Sequence, residues 1–386
     1  MQNIKWPQVR NIKKYLRDIE KVLTSEAWTI RAQNRKCNYY TEKFEEKWSE
    51  LNNSKFCVAV SSGSSALEIC LKTIRISIGD EVIVPVMGWY ATAAAVVKVG
   101  AIPIFCDIDI NTSCIDINCV KKLISNKTKA LIAVHLHSSF APMEQLQKLC
   151  NKYKIILLED AAQAHGGQYN GYFPGYYSLA ACYSFNQEKL IPAGEGGAII
   201  TNNKEFYDTA YAMRTDGYHF CENKGWVPFG ILGSNFAMTE FQSAILLNVL
   251  EEFQYYNSIR LRNAELIYKS LSKINGIDLI APHKKATKLF FYEIGIRFSK
   301  EILKKLPLDK IITEINSYGI IRVDRTDDLV PFNPLFSPYY LDQDINKSYT
   351  QAEELYNCLL VMHHKYLLVD GIDKILEERI KNLLKK

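Results

Sequence analysis

One lysine stands out because it follows a predicted buried strand closely and precedes a glycine-rich turn. Lys189 comes four residues after the apolar run Ala181–Phe185, and the turn Gly194–Gly197 lies behind it. A lysine amine can form a Schiff base with an aldehyde when it is partly desolvated and deprotonated. Most lysines are solvated surface residues, so position alone favours a surface role for Lys189.

Two carboxylates end another predicted apolar strand. The segment Leu158–Gly166 reads LEDAAQAHG, which puts Asp160 at the carboxyl end of that strand. Ligands of parallel sheets gather at this end, and a buried aspartate there needs a cationic partner. A protonated pyridine nitrogen would be such a partner. An aspartate that only caps the next turn explains the pattern equally well.

Hydroxyl groups surround two further predicted helix starts. In Ser61–Glu68 a strand leads into a glycine, several serines and a helix, and Ser65 and Glu68 have the spacing of a capping box. Exposed amides at a helix start bind phosphate well, but by itself the segment favours plain capping. Asn235 and Thr239 precede a long helical pattern and are also typical of caps.

The elements that must position these residues alternate between short apolar runs and helical patterns. This alternation predicts an α/β fold with a mostly parallel sheet covered on both faces. The predicted strands are Phe56–Val60, Glu81–Pro85, Ile102–Phe105, Leu131–Val134, Ile155–Glu159, Ala181–Phe185 and Gly197–Thr201. The predicted helices between them are Ser65–Ile74, Ala91–Val97 and Pro142–Tyr153.

A second, smaller α/β domain is predicted after the long helical pattern that begins near Thr239 and extends to Leu271. A strand within Leu289–Phe298 and helices near Leu308–Ile315 and Gly371–Leu384 follow it. We therefore expect a large domain over residues 1–250, whose N-terminal helix can pack on the small domain, and a small domain over residues 251–386.

Composition excludes several classes of protein. The 386 residues carry a net charge of +5 without a basic stripe, which argues against nucleic-acid binding. No set of His, Cys, Asp or Glu has metal-ligand spacing. The ten cysteines form no CxxC pair and suit a reducing compartment. The N-terminus lacks a signal-peptide pattern and no apolar stretch reaches about 20 residues, so we expect a soluble cytoplasmic protein.

Six segments, in this order and at these separations, resemble the DegT/DnrJ/EryC1/StrS family of sugar aminotransferases, which are fold-type I enzymes dependent on pyridoxal 5′-phosphate (PLP). The resemblance extends from Trp28 to the C-terminal helix. The six segments are SSGSSAL (61–67), GDEVIVP (79–85), EDAAQAHG (159–166), SFNQEKL (184–190), GEGGAIIT (194–201) and LGSNFAMTEFQSAI (232–245).

The resemblance implies the catalytic roles. Lys189 matches the lysine that forms the Schiff base with PLP and then moves protons as a general base. Asp160 matches the aspartate paired with the pyridine nitrogen. Gln163 matches a residue near the ring hydroxyl, and Trp89 matches the aromatic residue that stacks on the ring. An amino donor converts the cofactor to pyridoxamine 5′-phosphate, and an acceptor carbonyl then takes the amine in a ping-pong reaction.

The resemblance also implies how the phosphate is held and how subunits associate. Gly63, Ser64 and Ser184 match the family's phosphate cradle. Asn235 matches a residue that reaches the phosphate from the neighbouring subunit, which implies a homodimer with shared active sites.

Other features concern the substrate. The form SFNQEKL and the pair His363-His364 are similar to the branch of 3-amino-5-hydroxybenzoate synthases and scyllo-inosose aminotransferases. This branch implies glutamine, or else glutamate, as donor, and it implies that both histidines approach the substrate. The segment His135–Ser138 and Asp216 depart from the common family pattern on the substrate side. The acceptor thus stays open among keto-sugars, oxidised sugar acids and cyclitols.

Two rival functions remain within the same fold. Family members that remove a sugar hydroxyl, acting as dehydratases, typically replace the lysine with histidine, whereas this chain has Lys189. A non-catalytic partner subunit that merely binds PLP would not need every cofactor position to be filled. Both rivals are therefore disfavoured by the sequence.

Overall fold

A computed structural model describes residues 5–30, 40–221, 223–317, 319–339 and 348–385. Its α-helices are α1 (Ile12–Thr24), α2 (Tyr40–Leu51), α3 (Gly63–Thr73), α4 (Ala91–Lys98), α5 (Ile117–Leu123), α6 (Met143–Tyr153), α7 (Lys204–Arg214), α8 (Glu240–Leu271), α9 (Lys300–Lys305), α10 (Leu308–Asn316), α11 (Thr350–Cys358) and α12 (Ile372–Lys385). Its strands are β1 (Phe56–Val60), β2 (Glu81–Pro85), β3 (Ile102–Cys106), β4 (Thr128–Val134), β5 (Ile156–Asp160), β6 (Gln168–Tyr169), β7 (Ala180–Ser184), β8 (Gly197–Thr201), β9 (Tyr218–Cys221), β10 (Gly225–Pro228), β11 (Ile277–Leu279), β12 (Ala286–Lys288), β13 (Glu293–Phe298), β14 (Val323–Arg325) and β15 (Leu359–His363).

A seven-stranded sheet in the order β1-β8-β7-β5-β4-β2-β3 forms the centre of the large domain. Strand β8 runs antiparallel to both of its neighbours, and the pairs from β7 to β3 are parallel. The strands are almost wholly buried apolar runs, as a sheet covered on both faces requires. The predicted α/β class with a mostly parallel seven-stranded sheet is confirmed.

The carboxyl ends of the parallel strands meet at one edge of the sheet. Strand β5 ends at Asp160, which is paired in register with Val134 on β4 and Cys182 on β7. Strand β1 points the same way and leads into α3. Apart from Asn235, which precedes α8, the predicted site residues therefore lie on segments that leave the sheet at this edge.

A second antiparallel sheet, β11-β13-β15-β14, packs with α10, α12 and the far end of α8 around a separate hydrophobic core. Helix α8 starts with a capping box in which Thr239 and Gln242 bond each other's backbone amides. Helix α1 packs on α8, where the side-chain amide of Asn248 donates a hydrogen bond to the Asp18 carboxylate at 2.9 Å. The predicted division at residue 250 falls within α8 and remains a prediction.

The cap of α3 differs from the predicted one. Ser62 is the N-cap, and its hydroxyl accepts a hydrogen bond from the Ser65 amide at 3.0 Å. Glu68 forms an ion pair with Lys72 one turn later at 2.7 Å instead of turning back to the helix start. The predicted capping box of Ser65 and Glu68 is therefore wrong, because the helix begins two residues earlier.

Among the described residues, no helix combines the length and the apolar character that crossing a membrane would require. Helix α8 is the longest of them at 32 residues, but charged and polar side chains occur throughout it.

Candidate active site

Asp160 sits at the sheet edge with its carboxylate held in place by its neighbours. It is 8% exposed, accepts a hydrogen bond from the Thr92 hydroxyl at 2.7 Å and accepts another from the Ala162 amide at 3.1 Å. The preceding carboxylate, Glu159, instead points into the protein, where His135 lies 2.8 Å away. The two adjacent carboxylates thus point in different directions, and Asp160 is the one that a ligand at the sheet edge could contact.

Lys189 lies in the turn that follows β7, with its amine over an aromatic ring. Its Nζ is 4.3 Å from the centroid of the ring of Tyr292, the residue that precedes β13. Burial lowers the pKa of Lys189, although the carboxylates of Glu293 and Asp160 act in the opposite direction. A lowered pKa increases the fraction of neutral amine, which is the nucleophilic form.

A second acid, which the sequence did not predict, faces Lys189 from the small domain. Glu293 opens strand β13, and burial raises the pKa of its carboxyl group to about 8, with the negative charge of Asp327 acting in the same direction. Lys189 opposes this rise. Nothing in the sequence pattern separates Glu293 from an ordinary acid at a strand start, so only the packing of the two domains reveals it.

The start of α3 lies against the end of β7 at very close range. A Cβ atom on Gly63 would come within 2.9 Å of the Ser184 Cβ, so only glycine fits without a shift. Gly63 and Ser64 are the first two helical residues, and their amides have no acceptor within the helix. The structure therefore brings together the three residues of the predicted phosphate cradle, and the helix start favours an anion there.

Gln163 meets the segment that departs from the family pattern. Its side-chain oxygen accepts a hydrogen bond from the His137 amide at 3.2 Å. His137 and Ser138 have φ values of +48° and +66°, in the left-handed region that non-glycine residues rarely adopt. The Ser138 hydroxyl donates to the Glu293 carbonyl oxygen. The segment His137–Ser138 thus links Gln163 to the strand that carries Glu293.

Trp89 and Asn235 have exposed side chains. Trp89 is 56% exposed and its ring centroid lies 4.6 Å from that of Tyr90. The Trp89 carbonyl accepts a hydrogen bond from the amide of Thr92, the residue that holds Asp160. Asn235 is exposed and forms an isolated bridge with Thr215. Both side chains are therefore free to meet a ligand or another chain.

His165 has a structural environment despite its place in the Asp160 motif. It is fully buried, its Nε2 lies 3.0 Å from the Ser184 carbonyl oxygen, and burial lowers its pKa to about 3. A histidine with this pKa stays neutral at physiological pH and does not act as an acid there.

This arrangement fits PLP. An amine with a lowered pKa, a buried carboxylate at a strand end, an exposed indole and the free amides of a helix start lie along one edge of the sheet. They match the aldehyde, the pyridine nitrogen, the ring face and the phosphate in turn. Lys189, Asp160, Trp89 and the Gly63–Ser64 amides would hold the cofactor.

Known aminotransferases are similar to this chain. The profile of the DegT/DnrJ/EryC1/StrS aminotransferase family matches residues 12–378. The L-glutamine:2-deoxy-scyllo-inosose aminotransferase of Streptomyces paromomycinus is 35% identical over 67% of this chain and 62% of its own length. The chain thus spans just under two thirds of that relative. The L-glutamine:scyllo-inosose aminotransferase of Streptomyces griseus is 30% identical over 86% of this chain and 80% of its own length.

The fold is shared with a solved enzyme. The crystal structure of 3-amino-5-hydroxybenzoic acid synthase superposes with a TM-score of 0.88 at 22% identity and covers 98% of both chains. The relatives bear out the predicted family and its scyllo-inosose branch.

Proposed function

Because this chain belongs to the DegT/DnrJ/EryC1/StrS aminotransferase family, we propose that it carries PLP on Lys189 and transfers an amino group to a carbonyl carbon. The donor is glutamine or glutamate, and the acceptor is a sugar, a sugar acid or a cyclitol. The single observation that carries this proposal is the placement of the Lys189 amine, with its lowered pKa, at the sheet edge where Asp160 ends β5.

The chain's residues divide the chemical work. PLP, when bound, supplies an electron sink for the bonds at the donor's α-carbon. The Lys189 amine would hold the cofactor aldehyde and, when free, would move the α-proton of the donor as a general base. The Asp160 carboxylate, oriented by Thr92, would keep a proton on the pyridine nitrogen because opposite charges favour each other's ionised form.

Other residues would orient the cofactor. Trp89 presents an exposed indole face for stacking, and Gln163 would lie near the ring hydroxyl. The Gly63 and Ser64 amides and the Ser184 hydroxyl would hold the phosphate. An exposed Asn235 is suited to reach the phosphate of a second subunit, so we infer a homodimer with shared active sites.

The relatives narrow the substrates. Two of them use L-glutamine and an inosose by name, so we infer that glutamine is the donor and that an inosose-like cyclic ketone is the acceptor. A sugar dehydratase and a non-catalytic partner subunit are the alternatives. Lys189 disfavours the first, and the expected residue type at every cofactor position disfavours the second. The nine described cysteines are free, which suits the cytoplasm as the place of action.

One experiment tests the assignment. Purified protein is incubated with PLP, treated with borohydride and mapped by mass spectrometry, and the absorbance of the bound cofactor is followed after glutamine is added. We expect reductive trapping on Lys189 and a glutamine-dependent loss of the PLP absorbance band. Lys189→Ala should show neither result while its circular dichroism is retained. A wild-type protein that traps nothing at Lys189 would contradict the proposal.

A further inference from the structure

The turn that carries Lys189 is bonded from outside its own domain. The carbonyl oxygen of Glu188, the residue just before the lysine, lies 2.9 Å from Nε2 of His363 and 2.9 Å from Nε2 of His364. The Gln187 carbonyl accepts a hydrogen bond from the Trp6 indole, also at 2.9 Å. Two successive carbonyls before Lys189 are thus bonded to the small domain and the N-terminal segment.

The amides of the same turn bond within the large domain. The Lys189 amide donates to the Asn186 carbonyl at 2.9 Å, and the Gln187 amide donates to the Gly194 carbonyl at 2.8 Å. The Glu188 amide donates to the Asn186 side chain at 3.0 Å. The peptide before Lys189 is therefore hydrogen-bonded on both sides. Its bonds to the small domain are the two from His363 and His364.

Both histidines can donate only when Nε2 carries the proton. The Nδ1 of His363 accepts a hydrogen bond from the Lys365 amide at 3.4 Å, which leaves the proton on Nε2. Burial lowers the pKa of His363 to about 3 and that of His364 well below its ordinary value. Both rings therefore stay neutral at physiological pH, and their tautomer is set by the bond to Glu188.

The same small-domain cluster also touches the lysine side chain. The His364 amide donates to the Tyr292 carbonyl at 2.9 Å, and the Tyr292 ring lies 4.3 Å from the Lys189 Nζ. The His363 and Tyr292 rings meet edge to face at 5.4 Å. Main chain and side chain of Lys189 are thus contacted by one group of residues that lie just before β13, on β15 and directly after β15.

We propose that His363 and His364 are positioning residues that act through the Glu188 carbonyl to place the Lys189 amine for attack on the cofactor aldehyde. This proposal rests on the proposed function. It differs from the expectation that the two histidines approach the substrate, because the Nε2 of each is already committed to the protein backbone. A carbonyl with two donors keeps one after a single deletion, so losing both donors should exceed the product of the single effects.

The test compares PLP with pyridoxine 5′-phosphate. This comparison distinguishes a role in positioning Lys189 from a role in holding the two domains together. Pyridoxine 5′-phosphate has an alcohol in place of the aldehyde and reports binding without condensation. The rate at which PLP condenses with Lys189, with loss of water, is followed by absorbance. His363→Leu and His364→Leu are compared singly and together with the double glutamine variant, whose amide N–H can replace Nε2–H. His283→Leu, outside this cluster, is the matched control.

We expect each leucine variant to slow condensation a few-fold and the double variant to slow it by tenfold or more. Affinity for pyridoxine 5′-phosphate should stay within about twofold, and the double glutamine variant should recover most of the rate. Unchanged condensation in the double leucine variant would overturn the proposal, as would a parallel loss of alcohol affinity. If the wild-type protein binds neither cofactor form, the proposed function itself fails, which is a distinct result.

Discussion

Asp160→Ala is the substitution that tests the cofactor assignment most directly. It removes a carboxylate that is 8% exposed and held by Thr92 and the Ala162 amide, at the position expected to face a protonated pyridine nitrogen. Without a ligand this buried carboxylate has lost its contact with water and has only two hydrogen-bond donors in exchange. We therefore expect Asp160 to stabilise the cofactor-bound protein more than the cofactor-free protein.

The magnitude follows from the charged hydrogen bond that would be lost. Removing one partner of such a bond costs about 2–3 kcal/mol. At about 1.4 kcal/mol for each tenfold change, cofactor affinity should fall roughly 30- to 140-fold. Asp160→Asn keeps the size of the side chain and can still accept from Thr92 but has no charge, so it should lose affinity by a similar factor.

The assay compares cofactor-free and cofactor-loaded protein. Pyridoxine 5′-phosphate affinity is measured by titration, and the rate of the glutamine half-reaction is measured in a single turnover. The melting temperature of the cofactor-free variants should equal or exceed that of the wild type, whereas the gain in melting temperature on loading should shrink. Asp278→Asn, on an exposed side chain of β11, serves as the control for removing a negative charge.

Two results would refute this reasoning. Affinity and single-turnover rate of Asp160→Ala within threefold of the wild type would show that the carboxylate does not pair with the cofactor. A cofactor-free variant that melts several degrees lower would show that Asp160 mainly supports the fold.

Three further predictions concern the phosphate cradle, the acid beside the lysine and the second subunit. Gly63→Ala should lower PLP affinity at least tenfold, because its Cβ would meet the Ser184 Cβ at 2.9 Å; a titration that gives the wild-type affinity contradicts the close approach. Cofactor-free protein should lose stability as pH rises from about 4.5 to about 8, since the folded state keeps the Glu293 proton that the unfolded state releases. Glu293→Gln should therefore melt above the wild type at pH 9 but close to it at pH 4.5, and parallel melting curves would argue against a raised pKa. Asn235→Ala should weaken cofactor binding, and mixing it with Lys189→Ala should produce heterodimers with one active site that has both residues; no recovered activity on mixing would exclude a shared site.

The strands of the large domain could be predicted from the sequence because each is a mostly apolar run between turn residues. Three of them, Phe56–Val60, Glu81–Pro85 and Gly197–Thr201, have the predicted bounds. Apart from the half-buried first residues Phe56 and Glu81, these strands are buried, so the pattern needs no knowledge of distant contacts. The edge at which their ends meet follows from the parallel arrangement.

Features that depend on the exact start of a helix or on packing between distant segments could not be predicted from the sequence pattern. Four serines between positions 61 and 65 can all cap a helix, and only the backbone geometry selects Ser62. Glu293 and Tyr292 face Lys189 because the small domain packs against the turn after β7, about a hundred residues away along the chain. No local pattern in the sequence carries that information.

Helix α8 limits how the two domains can move. It buries Leu246 and Phe253 in the core of the large domain and Ile267 and Leu271 in the core of the small one. Its 32 residues form a continuous rod about 48 Å long. Rotating one core against the other would have to bend this rod, so we expect the helix to hold the two cores in a fixed relation.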